Sequence, residues 1–129
     1  PLIFQAVKGE RPNIAVFGTD YETPDGTCLR DYIHVEDLIS AHLSAIKYMD
    51  KSFRNEFNLG NGSGYSVREV IAAVEKITGK KVPVVYANRR EGDPARLIAS
   101  SKKAIKELGW VPKYPKIEQI IESAWKAEV

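Results

Sequence analysis

The chain has 129 residues, enough for one domain with a modest core, and its 43% hydrophobic and 28% charged content is that of an ordinary globular protein. The net charge of +2, from 19 basic and 17 acidic side chains, is too balanced for a general nucleic-acid or membrane-surface binder, so basic residues matter locally rather than in bulk. The one cysteine, Cys28, rules out an internal disulfide framework and fits a reducing, cytoplasmic setting, and no apolar run approaches the roughly 18–20 residues of a membrane span or forms a signal peptide.

Pro1 to Lys8 reads as the last turns of a helix whose earlier part is missing, with Gly9 in the left-handed position beyond it. The chain thus reads as a piece of something longer. Asn13 to Phe17 is short, β-branched and aromatic, and predicts a strand; residues 18–27 are dense in turn formers, with Pro24-Asp25-Gly26 at their centre. A second short strand is expected over Tyr32 to Val35. From Glu36 the period becomes helical: Leu38, Ile39, Ala41, His42, Ala45, Ile46 and Met49 share a face, and Glu36 and Asp37 suit the N-terminal dipole.

Phe57-Asn58-Leu59 predicts a strand entering the glycine-rich turn at residues 60–64. Ser66-Val-Arg-Glu69 is a capping box, opening a helix with Val67, Val70, Ile71, Val74 and Ile77 inward and Gly79 at its end. Val82 to Ala87 predicts a strand, Ser100 or Ser101 caps a helix from Lys102 to Leu108 closed by Gly109, and a last amphipathic helix starts near Lys116. Trp110 and Trp125 read as core anchors. Alternating strands and helices make the fold α/β or α+β, with too few strands for a full doubly wound sheet.

Two arginine clusters stand out, Arg30-Asp31-Tyr32 and Arg89-Arg90-Glu91-Gly92-Asp93. Guanidinium forks match phosphate oxygens, whereas an ionised aspartate only accepts hydrogen bonds and suits a ribose diol. Together they point to a nucleoside diphosphate rather than a simple anion. Gly60-x-Gly62-x-Gly64 fits neither phosphate-loop nor dinucleotide fingerprint and reads as a strand-to-helix turn. His34 and His42 have no partner at metal-ligand spacing. There is no Tyr-x-x-x-Lys and no dinucleotide fingerprint, so the chain offers a clamp for an anion and a sugar ring without an evident acid, base or redox site.

TPDGT (23–27), RDYIHVEDL (30–38), FNLGNGSGYSV (57–67), RREGDPA (89–95) and SKKAIKELGW (101–110) resemble, in collinear order over essentially the whole chain, the C-terminal part of the UDP-glucose 4-epimerases, which are extended short-chain dehydrogenases/reductases. The resemblance implies a mixed α/β C-terminal substrate-binding domain over residues 1–129, in which residues 35–60 or so supply a helix and a strand that complete a missing Rossmann sheet. It implies that Ile14, Ala15 and Phe17 hold uracil, largely through backbone groups. By the same resemblance Arg30 and Arg90 grip the diphosphate, Asp93 accepts from the ribose, and Tyr32 and Val67 are lesser pocket positions. Leu97 would lie beside the hexose, where a tyrosine in some members restricts N-acetylated sugars.

The implied reaction interconverts UDP-galactose and UDP-glucose through a 4-keto intermediate. It uses NAD and a tyrosine–lysine pair held by an N-terminal domain that this chain lacks, so the fragment alone is expected to be inactive. The parent is expected to be a cytoplasmic homodimer, open to UDP-N-acetylhexosamines, with no nucleic-acid, membrane or metal partner. A non-catalytic UDP-sugar-binding module and a related NAD-dependent nucleotide-sugar epimerase or dehydratase are the alternatives. Without the missing half, one face of the helix after His34 should meet water.

Overall fold

The computed structural model of the chain describes residues 1–50 and 55–128. The opening segment is a helix, α1 (Leu2–Lys8), and the first strand, β1 (Ile14–Phe17), follows. Chain order continues with β2 (Leu29–Arg30), α2 (Val35–Tyr48), β3 (Tyr65–Ser66), α3 (Val67–Thr78), β4 (Val84–Ala87), β5 (Arg96–Leu97), α4 (Lys102–Leu108) and α5 (Ile117–Lys126). The architecture is mixed α/β, as the alternation of patterns predicts. Gly9, Gly79 and Gly109 end α1, α3 and α4 in the left-handed region, where a missing Cβ removes the steric penalty.

Two small sheets organise the chain. β1 and β4 pair in parallel, Ile14 opposite Val84 and Phe17 opposite Ala87, and the ladder extends through Ile14 N to Pro83 O and Gly18 N to Ala87 O, both 2.9 Å. In the second sheet β2 is central, antiparallel to β3 and parallel to β5, with Arg30 level with Tyr65 on one side and Leu97 on the other. The main core lies under the first sheet: Phe4, Val7, Ala73, Val74, Val82, Ile117 and Ile121, with Trp125 edge-on to Phe4 at 5.3 Å. The capping box at α3 is present, Glu69 N donating to Ser66 Oγ at 3.0 Å and Ser66 N to Glu69 Oε2 at 2.7 Å.

Asp25 ties the 18–27 turn to that cap. One of its oxygens accepts from Thr27 N and Oγ1, at 2.9 and 2.7 Å, and the other from Ser66 Oγ. Burial opposes ionisation of Asp25, but these hydrogen bonds together outweigh it and hold the carboxyl below the usual carboxylate range.

Three expectations from the sequence need correction. The strand expected over Tyr32 to Val35 lies earlier, at Leu29–Arg30. Past Arg30 the side chain of Asp31 takes over from the ladder, accepting from Asn61 N at 2.8 Å and from Gly62 N and Ala99 N at 3.1 Å. His34 then caps α2, its Nδ1 accepting from Glu36 N at 3.1 Å, so Val35 is already helical. Phe57 to Leu59 is no strand. Its alternation suits extended chain, but Phe57 and Leu59 rest on the second core of Ala41, Ala104 and Trp110, with no ladder partner among the described residues. His42 does not pack inward: it is exposed, and its Nδ1 donates to Leu38 O at 2.7 Å.

α2 shows the largest departure from an ordinary buried helix. Of its expected apolar face only Ala41 is fully buried. Val35, Ile39, Leu43, Ile46 and Met49 are all more than half exposed, between 53% and 62%, and the i, i+4, i+8, i+11 spacing of the first four makes one stripe. What anchors the helix is Asp37, which is 1% exposed. Its carboxylate accepts from Lys113 N at 2.7 Å and Tyr114 N at 2.9 Å, and its carbonyl accepts from Trp110 Nε1 at 2.9 Å. The role predicted for Asp37, favouring the helix dipole, is therefore the lesser part of what it does.

Candidate functional site

The cavities that matter lie where β1, β2 and the start of α3 meet the loop after β4. One lobe, of about 320 Å³, is lined by Ala15, Val16, Phe17, Cys28, Arg30, Val67, Arg90 and Asp93. A second, of about 310 Å³ and more apolar, shares Ala15, Phe17, Val67 and Arg90 and adds Ile14, Tyr32, Val70, Ile71 and residues of α1. Eight of the nine residues singled out by sequence therefore line one or other of two adjoining lobes. Leu97 does not: it is 61% exposed, on β5 level with Arg30.

Arg30 is fixed in place before any ligand arrives. Its Nη1 donates to Leu29 O at 2.8 Å and Pro94 O at 2.9 Å, and its Nη2 pairs with Asp93 Oδ1 at 3.1 Å. Arg90 reaches the same carboxylate from the other side, Nε to Oδ2 at 3.9 Å, with its guanidinium 4.0 Å over the Phe17 ring. A tight turn brings this about, Asp93 N donating to Arg90 O at 3.3 Å. Two guanidiniums and one carboxylate leave the lobe one charge positive, with Asp93 bridging the two arginines. A planar fork with free N–H groups on one side of such a bridge is suited to phosphate oxygens.

β1 adds a second kind of recognition. Hydrogen bonds to β4 anchor Ile14 and Gly18, and bonding alternates along a parallel strand. The N–H and C=O groups of Ala15 and Phe17 consequently face the free edge, beside the cavity they line. Tyr32, half-buried in the apolar lobe, has its phenol pushed up by burial.

Cys28, Val16, Val70 and Ile71 were missed from the sequence. Cys28 is two residues before Arg30 and so on the same face as it; Val70 and Ile71 follow Val67 at i+3 and i+4. Those periodicities could have found Cys28, Val70 and Ile71, whereas strand alternation puts the Val16 side chain on the face opposite Ala15 and Phe17. The Arg89-Arg90 pair, read together in the sequence, is split by the structure: Arg89 turns away to Asp20. The glycine-rich turn gives two of its amides, Asn61 N and Gly62 N, to Asp31, and it leads into β3 before α3 begins. Among the described residues no group of three or more His, Cys, Asp or Glu could hold a metal. Among the described residues no helix is long and apolar enough to cross a membrane. A separate polar hollow of about 370 Å³ includes His34, Tyr114, Glu122 and Lys126, but its lysine is already paired with Glu122 at 2.7 Å.

A family profile described as GDP-mannose 4,6 dehydratase matches residues 3–124. The chain belongs to that family. Among curated relatives, the UDP-glucose 4-epimerase of Halalkalibacterium halodurans is 52% identical over 97% of this chain and 38% of its own length. A crystal structure of UDP-glucose 4-epimerase from Stenotrophomonas maltophila, with NAD and formylated UDP-arabinopyranose bound, superposes with a TM-score of 0.91 at 42% identity, covering 98% of this chain and 38% of that one. The Bifidobacterium longum enzyme in complex with NAD+ and UDP gives 0.85 at 40% identity, over 98% and 38%. The chain thus spans somewhat over a third of the length of these family members, and matches a C-terminal portion of them. The family profile takes its name from a dehydratase and the relatives are epimerases, so family membership by itself fixes the fold and not the reaction.

Proposed function

We propose that the two-lobed cavity seats a uridine diphosphate sugar, and that the chain is the substrate-binding C-terminal portion of a UDP-glucose 4-epimerase. The observation that carries this reading is the meeting of Arg30 and Arg90 on one cavity with Asp93 between them. In this reading the arginines take the diphosphate and Asp93 turns to the ribose. The free edge of β1 at Ala15 and Phe17 meets the polar edge of the base, while Ile14, Tyr32 and Val67 line its apolar side. The sugar leaves the seat past Arg30 toward Leu97. There a leucine in place of a bulky aromatic ring leaves room for an N-acetyl group, so UDP-N-acetylhexosamines are included among the substrates.

The division of labour follows from the chemistry of a 4-epimerase. The ring must be presented to a reductant on one face and then the other, so binding energy belongs on the part of the substrate that does not react. Charge-assisted hydrogen bonds to a diphosphate, about 1.5–3 kcal/mol each, provide it. Residues of this chain do not fit NAD itself: two amides of the glycine-rich turn serve Asp31, and the arginines are committed to the cavity just described. NAD belongs in this reading to the part of the enzyme that this chain does not span. The exposed stripe of α2 and the extended Phe57–Leu59 segment are proposed to dock on that dinucleotide-binding domain, in a cytoplasmic, homodimeric parent.

The test is made on the complete NAD-loaded protein. UDP-galactose and UDP-glucose should interconvert and UDP should compete, while the 129-residue chain alone should show no turnover. Tight UDP binding without interconversion by the complete protein would keep the seat and remove the epimerase; no competition by UDP would remove both.

A further inference from the structure

The ladder between β1 and β4 ends at the hydrogen bond from Gly18 to Ala87. From there the two segments diverge, residues 18–21 into a turn and residues 88–93 into the loop that carries Arg90 and Asp93. Arg89 ties them together again. Its Nε donates to Asp20 Oδ1 at 2.8 Å and its Nη2 to the Asp20 carbonyl, and its guanidinium lies 4.3 Å from the centre of the Tyr21 ring. Gly18 makes room for this: its φ is +80°, and a Cβ there would run into the Tyr21 ring and come within 2.8 Å of the Arg89 stem.

The clamp extends to the cavity. Tyr21 is 6% exposed, and its hydroxyl has no hydrogen-bond partner among the described residues. Burial first, and then the neighbouring Cys28 thiol, push its phenol up, and Cys28 is a wall residue of the charged lobe. Arg89 itself lines neither lobe.

We propose that Arg89 is a positioning residue for the diphosphate seat: by gripping Asp20 and Tyr21 it fixes the backbone of residues 89–93, so that Arg90 lies over Phe17 and Asp93 reaches both arginines. This deepens the function proposed above and rests on it. Of two adjacent arginines one contacts the ligand, and the other holds its neighbour in place.

The experiment measures UDP and uridine affinities on the complete protein for Arg89→Ala, Asp20→Ala, Arg90→Ala and the Arg89→Ala/Arg90→Ala double variant. Arg89→Ala should weaken UDP by about 5–20-fold, from loss of a paired and stacked guanidinium, and Asp20→Ala, which leaves the carbonyl and ring contacts, by about 2–5-fold, with uridine weakened less than UDP in both. In the Arg90→Ala background the Arg89 effect should shrink to within about twofold, as for two residues acting through one contact. Asp20 is 73% exposed, so Asp20→Ala loosens the clamp by its carboxylate contact without a folding defect and decides the matter if Arg89→Ala does not fold. An Arg89→Ala loss that persists in full without Arg90, or that extends equally to uridine, overturns the positioning role. So does UDP affinity unchanged in both clamp variants while Arg90→Ala weakens it, an outcome that leaves the seat standing. If Arg90→Ala itself leaves UDP binding unchanged, the seat fails and this inference with it.

Discussion

The two cores of the molecule are closed to different degrees. The one formed by α1, α3, α5 and the β1–β4 pair is sealed by its own side chains: Phe4 and Val74 are 2% and 0% exposed. The one under α2 and α4 has three fully buried residues, and the far side of α2 presents a stripe of five large apolar side chains to solvent. An exposed apolar face of that size is what an interface presents. The two cavity lobes open beside the closed region, walled by β1, the start of α3 and the loop after β4, with Arg30 supplied by β2. The open region is built to meet something else.

Substitutions should separate the regions by size of effect. Phe4→Ala should cost the most, about 3–5 kcal/mol, because it empties a filled core and removes the edge contact with Trp125; urea unfolding of the complete protein measures it. Asp37→Ala should cost about 1.5–3 kcal/mol by removing the buried charged acceptor of the Lys113 and Tyr114 amides, and faster amide exchange in α2 and at residues 113–114, with α3 unaffected, would locate the loss in the open region. Arg90→Ala should leave stability unchanged and weaken UDP about 10–100-fold by calorimetry. The isolated chain, with the α2 stripe uncovered, should self-associate; Ile39→Gln should shift its stability by less than about 0.5 kcal/mol, since the side chain is already in water, yet reduce that association in sedimentation. A larger loss in the isolated chain would show that α2 is covered from within.

The smallest effect expected is one of pH. The folded pKa of Asp25 is depressed, so its hydrogen bonds to Thr27 and Ser66 stabilise the protein above the ordinary carboxylate range, and that stabilisation is lost as pH falls from there through the lower folded value. Asp25→Asn should lower stability at neutral pH and flatten the acid limb of the stability profile. An acid limb identical to that of the unsubstituted protein would assign the dependence to other carboxylates.

Local chemistry made much of this readable in advance. The capping box at Ser66, the glycine stops at residues 9, 79 and 109, and the β-branched runs of β1 and β4 depend on near neighbours in sequence. What escaped was decided by distant residues. Asp31 replaces a strand ladder only because Asn61, Gly62 and Ala99 fold back to it, and Asp37 is buried only because residues 110–114 close over it. Phe57 to Leu59 has the alternation of a strand, but pairing needs a neighbour that its own pattern cannot supply. At the site, the resemblance to epimerases gathered the cavity residues, whereas the opposite orientations of Arg89 and Arg90 depended on a turn at Asp20 that no spacing rule reveals.

The central claim is that two guanidiniums converge on a diphosphate, and the phosphate dependence of affinity tests it most directly. Titrating uridine, UMP and UDP into the complete protein should show affinity rising with each phosphate, with the gain from UMP to UDP largely lost in Arg90→Ala. Equal affinities for the three ligands, or a UDP advantage undiminished in Arg90→Ala, would contradict it.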